Sequence, residues 1–168
     1  METEGFLAVI LMLPAVDMDL RAEKVENGWI LFSAVLMAAM KLAEYGGGAL
    51  PEMAGGFVLP LIFLWPLFRI RAVGAADCKL LSALGLLLGP AAILQCMLRM
   101  FLTGGLLAGL LLLTTGSARE RFRYLQRYVM RALQTGELPS YRKSGFRPEH
   151  IHMTVPILLS VLMWAAGL

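Results

Sequence analysis

Residues 81–115, LSALGLLLGPAAILQCMLRMFLTGGLLAGLLLLTT, contain a single charged side chain, Arg99, in an otherwise apolar run. The amphipathic helices of soluble domains place polar residues on one face with a helical period, and this stretch shows no such pattern. It is also longer than the roughly 20 residues that cross a bilayer. The run therefore predicts membrane helices. It could be divided at Gly89 and Pro90 or near Arg99, since glycine and proline are tolerated in such helices.

The whole chain has the composition of a membrane protein. Its 168 residues are 58% hydrophobic and have a mean hydropathy of +0.71, whereas soluble domains are about 45–50% apolar. The acidic start METEG lacks the basic residues that open a signal peptide, so the first apolar run is expected to remain as a span. Cys78 and Cys96 lie in separate apolar segments and form neither a disulfide framework nor a metal-binding pair. The predicted fold class is an all-α polytopic membrane protein with one domain over residues 1–168.

The distribution of charge decides the number of spans. Six apolar stretches can be distinguished, at 5–18, 28–43, 54–70, 76–89, 91–115 and 153–168. Lysine and arginine concentrate in the cytoplasmic loops of membrane proteins. Six spans with an outer N-terminus place thirteen of the fifteen basic residues on the cytoplasmic side, with Lys41 and Arg99 as the exceptions. A single span over 76–115 would separate Arg69 and Arg71 from the basic 117–150 loop, so about six transmembrane helices are predicted.

The cytoplasmic loop at 117–150 is predicted to contain a basic amphipathic helix. Its segment 117–136, SARERFRYLQRYVMRALQTG, opens with Ser117 and Glu120 in the spacing of a capping box and closes at Gly136. Arginines recur every four residues beside an apolar stripe. Such a helix suits the surface of an anionic membrane leaflet. Nothing else in the chain indicates nucleic-acid binding.

Two aspartates are predicted to meet at the cytoplasmic membrane face. Asp19, in DMDLRAEKVENG (17–28), ends the first span, and Asp77, in GAADCKLL (74–81), begins the fourth. Each alone could be a solvated helix-end charge, but charge is costly at a bilayer and marks candidate functional residues. Two neighbouring carboxylates can share one proton, so that one activates water while the other polarises a peptide carbonyl. Asp17 is a poorer partner because it points about 200° away from Asp19 around the helix.

Taken together, the two stretches resemble the type IV prepilin peptidase family of GxGD intramembrane aspartic proteases. The first half of the family pattern begins with aspartate, leucine and arginine and ends in asparagine or aspartate, which Asp19 and Asn27 match. The second half runs from glycine to aspartate and continues to a lysine and two leucines, which Gly74, Asp77 and Lys79 match. The 151–164 tail also resembles the last span of the family.

The chain departs from the family pattern at two positions. The second glycine of GxGD is Ala76 here, and the proline before Asn27 is Glu26. A glycine beside the aspartate would allow close backbone approach, and one extra methyl is expected to be tolerated. The chain also lacks the cysteine-rich segment of the N-methylating members. It is therefore similar to the short peptidases that serve tight-adherence (Flp-type) pili, which implies cleavage without methyl transfer.

The resemblance implies a membrane aspartic endopeptidase in which Asp19 and Asp77 are catalytic. The residues implied in substrate binding or support of the site are Gly74, Ala76, Lys79 and Asn27. Membrane anchoring is the expected main role of Lys79. The implied substrate is the helix of a prepilin or pseudopilin, whose leader is cleaved at the cytoplasmic face of the inner (cell) membrane. Which aspartate starts protonated, and the oligomeric state, stay open.

Two alternative functions compete with proteolysis. Ala76 is compatible with a catalytically silent relative that binds pilin or assembly proteins. The two aspartates could instead serve a small cation- or proton-coupled transporter, although the chain has no inverted repeat. No cofactor is implied, and EHIHM at 149–153 is interpreted as a set of interfacial polar residues and not as a metal site.

Overall fold

The computed structural model describes residues 2–114 and 152–167. Five separate positions between these ranges are also described, each helical and exposed: Arg123, Gln126, Arg127, Met130 and Gln134. The helices are α1 (Glu2–Ala22), α2 (Asn27–Tyr45), a short 3-10 helix (Gly46–Ala49), α3 (Leu50–Arg69), α4 (Ala75–Thr114) and α5 (Thr154–Ala165). No strand occurs in the described ranges, and the prediction of an all-α fold is confirmed. Most of the predicted 117–150 loop lies outside the described residues.

The helix α4 is divided by a sharp kink at Gly89. This residue has φ 78° and ψ 175°, a backbone conformation outside the helical region, and Pro90 follows it. A straight helix would place Asp77 and Gly104 about 40 Å apart. Instead Asp77 lies within electrostatic range of Asp19 at the end of α1, while Gly104 packs near Pro156 at the start of α5. The kink therefore folds the second arm of α4 back toward the end of the bundle that holds Asp77.

The kink corresponds to one of the two divisions considered for this apolar run. The backbone leaves the helical region at Gly89, whereas Arg99 lies inside the second arm of α4. A positive φ is readily adopted by glycine and disfavoured for residues with a side chain. The chain thus breaks its longest apolar stretch where the sequence offers glycine followed by proline.

Close helix packing depends on small residues at the contact points. The helix α3 packs along α4, and a methyl group on either Gly56 or Gly85 would overlap the backbone of the other. At the far end of α1, a Cβ on Gly5 would lie 2.9 Å from the Cβ of Ala165 in α5. Close approach through small residues is typical of helices that associate in membranes.

The described surface also fits an apolar environment. Two helical stretches, Asn27–Arg69 and Ala75–Thr114, are long and apolar enough to cross a membrane. Bulky apolar side chains are exposed on the outside of the bundle, including Leu31, Ile62 and Leu102, which are 65–66% exposed. Water-soluble monomers rarely expose apolar surface to this extent. The count of six spans stays a prediction.

A buried ion pair joins α1 and α2 at the end of the bundle away from Asp19. Lys41 Nζ lies 2.8 Å from Glu4 Oε1, and their side chains are only 6% and 8% exposed. The same ammonium lies 4.5 Å from the ring centroid of Tyr45. Lys41 was an exception to the charge pattern of the sequence, and its burial against a carboxylate explains how the fold accommodates it.

Candidate active site

Asp19 lies in the last turn of α1 and points toward α5. Its Oδ2 accepts a hydrogen bond of 2.7 Å from the hydroxyl of Thr154. The Nδ1 atom of His152 is 3.4 Å from the same oxygen, and the Asp19 side chain is 16% exposed. Thr154 is the first residue of α5 and His152 lies two residues before it, 135 and 133 residues further along the chain than Asp19. The carboxylate is therefore held in a defined position and is not a solvated helix-end charge.

Asp17 has a different environment, although it is only two residues away. It pairs with Arg21 at 2.7 Å on the outer side of α1, where the two side chains are 57% and 79% exposed. Residues two apart on a helix project in nearly opposite directions. Of the two aspartates on α1, Asp19 is the one that faces the other helices of the bundle.

The end of α1 is closed by a local backbone turn. Glu23 adopts a positive φ of 52°, and its N–H donates a hydrogen bond of 2.9 Å to the carbonyl of Asp19. A left-handed residue after the last turn satisfies a carbonyl that would otherwise have no partner in the helix. This turn fixes the backbone of Asp19 as well as the direction in which the chain leaves toward α2.

Asp77 lies in the first turn of α4 and is 9% exposed. Its Oδ2 accepts a hydrogen bond of 3.1 Å from the N–H of Gly74. A Cβ at Gly74 would lie 2.9 Å from that oxygen, so the absence of a side chain makes room for the carboxylate. Gly74, which the family resemblance implied as a supporting residue, is thus in direct contact with Asp77.

The turn that leads into Asp77 is itself well ordered by backbone hydrogen bonds. Arg71 has a φ of 59°, and the N–H of Ala72 donates to the carbonyl of Leu67 over 2.9 Å. This pattern is a Schellman motif, which ends α3 with a residue in the left-handed region. The ordered 70–74 segment therefore fixes the position of Asp77 relative to α3.

The two aspartates come together although they lie 58 residues apart in sequence. They are close enough to interact electrostatically, and both are largely removed from water. A pair of this kind can act as general base and general acid in the same reaction.

The remaining residues implied by the resemblance also lie at this end of the bundle. Lys79 Nζ donates a hydrogen bond of 2.9 Å to Asn27 Oδ1, and both side chains are exposed. This contact joins the end of the first motif, where α2 begins, to the first turns of α4. Ala76 is half-buried, and its methyl packs against the apolar core.

Thr154 is the site residue that the sequence reasoning missed. It is fully buried and was considered only as part of an apolar span. His152 was interpreted as interfacial, without a connection to Asp19, and Glu149 and His150 lie outside the described residues. A signal was present, since a hydroxyl at the start of an apolar helix needs a hydrogen-bond partner. Within 2–114 and 152–167, no three His, Cys, Asp or Glu side chains are grouped to hold a metal ion.

Comparison with known proteins bears on this arrangement. A family model described as the type IV leader peptidase family matches residues 6–113, which include both aspartates and both arms of α4. No curated protein matches the chain, and no solved structure does. The matched range ends before α5, so the helix that contacts Asp19 through Thr154 lies outside it.

Proposed function

The chain belongs to the type IV leader peptidase family, and we propose that it is an aspartic endopeptidase that removes the leader peptide of Flp-like type IV prepilins or pseudopilins. The observation that carries this proposal is the convergence of the Asp19 and Asp77 carboxylates at one end of the helical bundle. The proposed cleavage takes place at the cytoplasmic boundary of the inner membrane, in a multi-pass protein. The proposed substrate is a helix with a short basic leader, lying beside α1 and α4.

The proposed reaction uses one ionised and one protonated aspartate. The ionised carboxylate removes a proton from water as the water oxygen attacks the carbonyl carbon of the scissile peptide. The protonated carboxyl donates its proton to the carbonyl oxygen, which forms a neutral tetrahedral intermediate. When the intermediate collapses, the second aspartate takes back a proton from one of its hydroxyls as the carbonyl re-forms. The carbon–nitrogen bond breaks, and the leaving amine takes the proton held by the first aspartate. No step requires a metal or an organic cofactor.

The environment of Ala76 supports an active enzyme over a silent relative. Its methyl packs into the apolar core, and the hydrogen bond between the Gly74 N–H and Asp77 is retained beside it. The extra methyl thus occupies space away from the carboxylate oxygen that this hydrogen bond holds. The proposed reaction is cleavage without methyl transfer, because the sequence has only two cysteines and no cysteine-rich segment.

The proposal is tested by co-expression of the full chain with a tagged Flp-like prepilin. Loss of the leader is followed on a gel for the intact enzyme and for Asp19→Asn, Asp77→Asn and Asp17→Asn. We expect cleavage by the intact enzyme and by Asp17→Asn, because Asp17 lies outside the site. The other two variants should lose at least about a thousandfold in rate, as expected when a general acid or base is removed.

The alternatives give different results in the same system. A silent family member would bind the prepilin without cleaving it, and Ala76→Gly would then restore cleavage if the methyl were responsible. A transporter would show ion- or proton-dependent uptake in liposomes. Cleavage that survives Asp19→Asn or Asp77→Asn would contradict the assignment of the two aspartates.

A further inference from the structure

The start of α5 and the residues just before it hold Asp19 through two polar contacts. Thr154 donates its hydroxyl hydrogen to Asp19 Oδ2 over 2.7 Å, and His152 Nδ1 lies 3.4 Å from the same atom. Thr154 is 0% exposed, whereas His152 is partly exposed. A buried hydroxyl has one hydrogen to donate, and here it is committed to a carboxylate on another helix.

The packing of α5 explains why this contact can position Asp19. The helix α1 packs mainly against α5 and touches α4 at few positions. On its other side, α5 packs against the second arm of α4, where Cys96 Sγ lies 3.9 Å from the Ser160 carbonyl oxygen and Pro156 packs near Gly104. The position of Asp19 relative to Asp77 is therefore set largely through α5.

We propose that Thr154 is a positioning residue for catalysis, and that it holds the Asp19 carboxylate in register with Asp77 while His152 provides a second, weaker contact. This inference rests on the proposed peptidase function. It assigns a functional role to α5, which lies outside the range matched by the family model. Misplacement of a reacting group by about 1 Å can reduce a rate by a hundredfold, so a single hydrogen bond at this point has a large effect.

The test uses two substitutions of Thr154 that each keep part of its side chain, and a control substitution elsewhere on α5. Thr154→Val keeps the branched shape and removes the hydroxyl, whereas Thr154→Ser keeps the hydroxyl and removes a methyl. Ser160→Ala is the control because Ser160 is a second buried hydroxyl on α5, and it donates to the Ile157 carbonyl within its own helix. All variants are made in the full chain, purified in detergent, and compared for thermal unfolding and for kcat and KM on a synthetic prepilin.

The expected result is a substitution that changes kcat and leaves KM nearly unchanged. Thr154→Val should lower kcat by about tenfold or more with KM changed by less than about twofold, since the hydrogen bond that positions Asp19 is lost without loss of substrate contacts. Thr154→Ser and Ser160→Ala should stay within about threefold of the intact enzyme. The proposal is wrong if Thr154→Val keeps full kcat, or if Thr154→Ser loses as much activity as Thr154→Val.

A second measurement separates this proposal from the peptidase function itself. The infrared band of the Asp19 carboxyl group, at the frequency of an ionised or a protonated carboxyl, is identified as the band that disappears in Asp19→Asn. It should shift in Thr154→Val and remain in place in Thr154→Ser, whether or not any prepilin is cleaved. An unshifted band in Thr154→Val would overturn the positioning role. A shifted band, together with an unchanged chain that cleaves no prepilin, would support the Thr154–Asp19 contact and refute the peptidase function.

Discussion

Substitution of Gly74 by alanine should disable the site while leaving the fold nearly unchanged. The new Cβ would lie 2.9 Å from Asp77 Oδ2, inside the van der Waals separation of carbon and oxygen. The φ of Gly74 is not in the left-handed region, so the backbone itself can accept alanine. The carboxylate is the mobile partner in this contact and is expected to rotate away.

The magnitude follows from the hydrogen bond that this rotation breaks. The Gly74 N–H donates to Asp77 over 3.1 Å, and a buried carboxyl that loses its hydrogen-bond partner is destabilised by about 1–3 kcal/mol. If this whole free energy is lost from the positioning of the reactive carboxyl, kcat decreases by roughly 5- to 150-fold. The midpoint of thermal unfolding should change by no more than a few degrees, because the apolar contacts of α3 and α4 are retained.

The assay is initial-rate cleavage of a prepilin by the detergent-purified chain, combined with thermal unfolding of the same samples. Gly105→Ala is the matched control, since a Cβ at Gly105 in α4 meets nothing within 4 Å. It should retain both kcat and the unfolding midpoint. Full kcat in Gly74→Ala would refute the argument that the glycine makes room for the carboxylate. A fall in activity that only follows general unfolding would refute it as well.

Two further predictions concern stability. Glu4→Gln should destabilise the bundle by about 3–5 kcal/mol, because it leaves the Lys41 ammonium buried without its carboxylate. Denaturant unfolding measures this loss of stability. The double variant Glu4→Gln with Lys41→Met should recover part of it. Gly85→Ala should cost about 1–3 kcal/mol, since the added methyl would overlap the backbone of Gly56. Thermal unfolding against Gly109→Ala, whose Cβ meets nothing within 4 Å, checks the second case, and equal midpoints would contradict the close approach of α3 and α4.

Helix positions could be predicted from the sequence because hydropathy is a local property. The stretch predicted at 28–43 is found as Asn27–Tyr45, and that at 54–70 as Leu50–Arg69. The break at Gly89 was one of two divisions that the sequence left open, and the backbone conformation of Gly89 decides between them. The sequence also predicted that Asp19 and Asp77 would lie near each other, because the six-span interpretation put both at one membrane face.

The contacts of buried polar side chains could not be predicted in this way. Thr154 and Lys41 both lie in apolar segments, and their partners, Asp19 and Glu4, are on other helices. The face that a helix turns toward each neighbour depends on how all the helices pack. When a helix is apolar on nearly all sides, its hydropathy does not show which face points inward. The role of α5 at the site was missed for this reason.

The long sequence separation between Asp19 and Thr154 has a consequence for biosynthesis. A ribosome adds Thr154, the first residue of α5, 135 residues after Asp19. Until α5 docks, the Asp19 carboxylate lacks the hydroxyl that holds it, even when α1 and α4 have already entered the bilayer. Under the proposed function, a partly translated chain without α5 is therefore a peptidase whose Asp19 has not yet gained its Thr154 contact.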